Sequence, residues 1–103
     1  MAASARVTQR IDGELEAVKE IVSETEEIAR DWSDLPESVR VSWSLDWDQA
    51  MGTHLRELAD AKSGGHMSTV QASRYQTLLR DLKHLLPVIA RLNLYRPPVP
   101  LDP

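Results

Sequence analysis

The stretch IDGELEAVKEIVSETEEIARDW, from Ile11 to Trp32, decides the fold. Within it Ile11, Leu15, Val18, Val22, Thr25, Ala29 and Trp32 follow one another at alternating steps of four and three, which puts them on a single stripe of an α-helix. Ile21 and Ile28 widen that stripe on one side, so the helix faces two neighbours and not the narrow seam of a two-stranded coiled coil. The spacing predicts a first helix from Ser4 to Trp32. Gly13 is its weak point, because glycine costs about 1 kcal/mol relative to alanine inside a helix. Ser33, Asp34, Leu35 and Pro36 end it.

Beyond that break a second helix is expected over residues 36–62. Pro36 suits its first position, where a missing N–H has no helical partner to lose, and Ser33 or Asp34 could cap it. Its stripe reads Leu35, Val39, Trp43, Trp47, Ala50, Met51, Leu55, Leu58 and Ala61. The alternation in Val39 to Trp43 also allows an extended reading with Ser44 as cap. A continuous helix is the preferred one, since a lone strand would find no sheet partner in this chain. Gly52 is read as a point where another helix comes close. Ser63, Gly64, Gly65 and His66 form the next break. Ser68 and Gln71 then read as a capping box, with Met67 as a hydrophobic staple.

The third helix is expected over 69–93, with Ala72, Tyr75, Leu78, Leu79, Leu82, Leu85, Leu86, Ile89 and Leu92 inward. Pro87 should kink it near Lys83 to Leu86, because proline deletes one hydrogen bond and crowds the preceding turn. Residues 96–103 hold four prolines in eight positions and read as an extended tail. The expected fold class is therefore all-α: three long antiparallel helices in an up-down-up bundle over residues 1–95, followed by the proline-rich tail. Such a core is thin, and three tryptophans, two tyrosines and no phenylalanine must fill it. Pairing into a homodimer would bury the wide second stripe of the first two helices.

Composition narrows the function classes. At 103 residues, with 42% hydrophobic and 27% charged side chains, the chain has the makings of one globular domain. The absence of cysteine removes disulfide frameworks and thiolate zinc sites. No apolar run approaches the ~20 residues of a membrane span, and Met1 to Arg10 lacks the features of a signal peptide, so a cytoplasmic location and no membrane partner are expected. Residues 1–34 carry four basic and nine acidic side chains, whereas residues 68–103 carry five basic and two acidic. With a net charge of -4 the chain lacks the basic footprint of a nucleic-acid binder.

Asp12, Glu16, Glu20, Glu24, Glu27 and Asp31 recur at steps of four and three, reading as an acidic face opposite the apolar seam and as a candidate surface for a partner. Trp43 and Trp47, one turn apart, either fill the core or anchor a partner. A metal reading would pair His54 with Glu57, or His84 with Asp81, at i, i+3 on a helix face, but His54, His66 and His84 lack the full ligand set of a metal centre. His54 and His84 are expected half-buried, and His66 in a loop. Serines and threonines fall at caps and loops with no paired base.

Glu24, Glu27, Glu57 and Asp60 form E-x-x-E and, 29 residues later, E-x-x-D. This resembles the acidic pattern of the all-helical nucleoside triphosphate pyrophosphohydrolases of the MazG and dUTPase kind, although the intervening segment is longer than theirs. The resemblance implies a Mg²⁺-dependent nucleotide hydrolase with those four carboxylates around the ion. The reading preferred on the residues themselves is a non-enzymatic protein-protein interaction or regulatory module without cofactor, catalytic or metal site. Its candidate partner surface comprises Asp12, Glu16, Glu20, Glu24, Glu27, Asp31, Trp43 and Trp47. A third reading is an antitoxin-like small regulatory subunit.

Overall fold

A computed structural model describes the backbone of residues 2–102 and the side chains of residues 5–102. It is all-helical, with no strand among the described residues, and three rods carry the chain. The first is α1, Ala2–Arg30, which runs unbroken through Gly13. A 3-10 turn at Trp32–Asp34 follows. The second rod consists of α2 (Glu37–Gln49), a π-helical turn (Ala50–Leu55) and α3 (Arg56–Ser63) in direct succession. The third is α4, Thr69–Arg91.

The second rod is helical from Glu37, so the extended reading of Val39 to Trp43 falls away. Pro36 stands at the N-cap position with extended backbone, one residue earlier than expected, and its carbonyl accepts from the amides of Val39 and Arg40. Ser33 and Asp34 belong to the 3-10 turn and cap nothing here. Proline's fixed φ already suits a cap residue, and its carbonyl closes the first helical turns.

Glycine ends the second rod in the expected way. Gly65 adopts φ +72°, the amide of His66 reaches back to the Ala61 carbonyl, and that of Gly65 to Lys62, a Schellman closure that needs a left-handed residue. The same closure ends α4, with Asn93 at φ 57° and the amides of Leu94 and Asn93 bound to the carbonyls of Ile89 and Ala90. Asparagine tolerates that conformation better than most residues, so the helix stops at Arg91, two residues before the expected end. Lys83 to Leu86 and Pro87 all remain helical. Ser68 Oγ accepts from the Gln71 amide, and the Gln71 side chain accepts in turn from the Ser68 amide, which completes the capping box.

One core joins the rods. Ile11, Leu15, Val18, Ile21 and Val22 of α1 meet Trp43, Trp47, Met51, Leu55 and Leu58 of the second rod and Tyr75, Leu78, Leu79, Leu82, Leu85 and Ile89 of α4. Thr25 occupies a core position of α1 and returns its hydroxyl to the Ile21 carbonyl at 2.8 Å, so no polar group there is left unpaired. After α4, Leu94, Val99 and Leu101 pack against the core. The Tyr95 carbonyl accepts the Trp47 indole N–H at 2.7 Å, and Lys83 pairs with Asp102. The molecule measures 49 × 26 × 18 Å. Its radius of gyration of 14.5 Å exceeds the ~13 Å of a rounder domain of this length.

Candidate functional site: a carboxylate and imidazole cluster between α1 and the π-turn

The wide stripe of α1 contains the feature that positions this site. Val7, Glu14, Ile21 and Ile28 lie seven residues apart, so a carboxylate occupies the register that Ile21 and Ile28 use to face the second rod. Glu14 is accordingly buried, with its side chain only 8% exposed. Across from it stand His54, near the end of the π-turn, and Glu57, in the first turn of α3. One ligating atom from each of the three lies within 4.8 Å of the other two. Among the described residues it is the single group of three or more such side chains that converges so closely.

The polar groups in this cluster are poorly satisfied. Glu14 Oε1 lies 3.6 Å from the guanidinium of Arg10, one turn back on α1. Glu14 Oε2 and His54 Nδ1 are both buried, face one another at 3.8 Å, and have no hydrogen-bond partner. Burial first, and then the neighbouring Glu57, push the Glu14 carboxyl up to about 7 against the opposing pull of Arg10. Glu57 moves in the opposite direction, held below the usual carboxylate range first by its contact with Glu14 and then by Arg10 and His54.

The π-turn is part of the arrangement. It carries Ala50, Met51 and Leu55 into the core and leaves His54 at the rim, 31% exposed at the side chain. Such turns are rare and recur at functional sites. Gly52 lies within it, and a Cβ built there would meet nothing within 4 Å, so close approach of another helix is not its role. Two surface cavities of about 320 Å³ flank the cluster. The first is bordered by Glu20, Glu24, Trp43, Asp46 and His54, the second by Arg10, Glu14, Glu57, Asp60 and His66.

The remaining sequence candidates fall elsewhere. Asp12, Glu16, Glu20, Glu24, Glu27 and Asp31 are all exposed. At about 100° per residue the steps of four drift forward by about 40° and the step of three returns by about 60°. The row therefore spans about 120° of α1 opposite the apolar seam, and its edges reach the neighbouring rods. Asp12 and Glu16 reach α4, where Arg74 lies 3.6 and 3.2 Å away, and Glu20 and Glu24 border the first cavity beside the second rod. Glu24 and Glu27 are therefore not brought into the cluster that holds Glu57.

Trp43 and Trp47 are 8% and 0% exposed, so both are core residues and not surface anchors. Trp43 stacks on Trp47 at 5.7 Å and meets the edge of Trp32 at 6.1 Å. His66 lies in the loop as expected, whereas His84 is exposed and not half-buried. By residue type a glutamate does not read as inward-facing; the seven-residue register that Glu14 shares with Ile21 and Ile28 is the signal that places it there. Comparison with protein-family models, with curated proteins and with solved structures returns no match.

Proposed function

We propose that this chain is a non-enzymatic helical interaction module, an up-down-up antiparallel bundle that pairs with a second copy of itself through the outer face of α2. The order of contacts supports the bundle. Thr8 and Asp12 meet Gln71, Glu16 meets Arg74 and Ala29 meets Arg91, so numbers rise together along α1 and α4. Against the second rod the order reverses, with Glu14 beside His54 and Glu20 and Glu24 sharing a cavity with Trp43.

The observation that carries the pairing is the outward pair Val41 and Leu45, 52% and 62% exposed and one turn apart on the side of α2 away from Trp43 and Trp47. Ser38 and Ser42 beside them are small and exposed, so a second helix can come close. An antiparallel crossing centred near residue 43 sets Val41 of one chain against Leu45 of the other. Among the described residues no helix is long and apolar enough to cross a membrane, which leaves a protein as the natural cover for this face.

Sedimentation equilibrium tests the proposal. A concentration-dependent dimer is expected, and Leu45→Glu should reduce it to monomer without loss of helical circular dichroism. A wild-type chain that stays monomeric up to its solubility limit would overturn it.

A further inference from the structure

We propose that Glu14, His54 and Glu57 form a binding site for one first-row divalent transition-metal ion, with zinc the best fit. The donor set is two carboxylates and one imidazole, drawn from α1, the π-turn and α3. A mixed nitrogen and oxygen set suits zinc and its first-row neighbours. Magnesium and calcium favour oxygen throughout, and thiolate-seeking ions find no cysteine in this chain.

Two observations beyond the clustering point to a ligand. The first is the pair of orphaned atoms: Glu14 Oε2 and His54 Nδ1 are buried, face each other and bond to nothing. Their 3.8 Å separation is too long for a hydrogen bond. It is within about 0.4 Å of the ~3.4 Å that separates two ligands held ~2.1 Å from a tetrahedral ion. A cation between them would satisfy both atoms at once, and it would remove the cost of a buried carboxylate without a full partner.

The second is orientation. Arg10 holds Glu14 Oε1, the oxygen directed away from His54, so the other oxygen is left to face the cluster. Outer contacts of this kind orient metal ligands. Access is available as well, since His54 borders one surface cavity and Glu14 and Glu57 border the other. Three protein ligands leave the fourth position of a tetrahedral ion to water.

Isothermal titration of the full chain with zinc chloride tests the site, after dialysis against chelator and with magnesium chloride in a parallel arm. One zinc per chain is expected, with no saturable binding of magnesium. Glu14→Gln and His54→Asn should each weaken zinc binding at least tenfold, while His66→Ala and His84→Ala leave it unchanged. Cobalt titrated into the unaltered chain supplies a readout independent of any variant. A visible d–d spectrum of four-coordinate strength that zinc abolishes supports the site. The weak spectrum of hydrated cobalt overturns it. So does a stoichiometry other than one, or zinc binding indifferent to Glu14→Gln and His54→Asn.

Discussion

Helix α1 has two contact edges, and they treat polar groups in opposite ways. On the edge toward α4, Gln71 is buried yet fully engaged: its amide nitrogen donates to Asp12 Oδ1 at 2.9 Å and to the Thr8 carbonyl at 3.2 Å, and its oxygen caps α4. On the edge toward the second rod, Glu14 is about as deeply buried, with Arg10 3.6 Å from one oxygen and the other oxygen facing His54 and Glu57 without a hydrogen bond. Buried polar groups are nearly always paired, and the exceptions call for an explanation. The Gln71 edge is a structural clamp. The Glu14 edge holds polar atoms that the fold by itself leaves unanswered, which is why a ligand is assigned there.

Substitutions can break this contrast. The largest effect is expected from Gln71→Ala, which removes the Gln71 half of the capping box, the bond from the Ser68 amide, together with the clamp to Asp12 and the Thr8 carbonyl. A loss of about 2 kcal/mol in urea unfolding is expected, the sum of a cap and a buried hydrogen bond. Next comes Glu14→Gln. The native carboxyl is raised to about 7 from an ordinary 4.5, so between those values the folded chain holds more protons than the unfolded one. The contribution of Glu14 is complete at the acid end of that window and is lost as pH rises through about 7, on the order of 1 kcal/mol. Glu57, lowered, acts only below its ordinary range and with the opposite sign. Urea midpoints measured from pH 5 to pH 8 should fall for the wild type more steeply than for Glu14→Gln. The smallest effect belongs to Arg74→Ala. Its pairs with Asp12 and Glu16 are solvent-exposed, and under about 1 kcal/mol is expected, shrinking further in high salt.

Much of the architecture was legible in the residues. The four-three spacing of α1, the Gly64-Gly65 break and the Ser68 and Gln71 cap each encode a local rule, and each stands where the residues put it. What the sequence hid depends on geometry between elements. The π-turn leaves no periodic mark, because one added residue in a helix still reads as steps of three and four. Asn93 ends α4 through a backbone conformation that no apolar stripe reports. The acidic row is one broad face of α1, and which neighbour each of its edges meets is set by the packing. Spacing alone pairs His54 with Glu57 at i, i+3; Glu14 stayed hidden because only the packing of α1 on the second rod brings it to them.

Glu14 itself offers the most direct measurement. Carbon-detected NMR titration of its side-chain carboxyl, in metal-free protein, reads the burial and the orphaned contact at one atom. A midpoint near 7 is expected. A midpoint near 4.5 would mean that Glu14 is solvated or fully paired, and would contradict the assignment of this edge of α1 as a site.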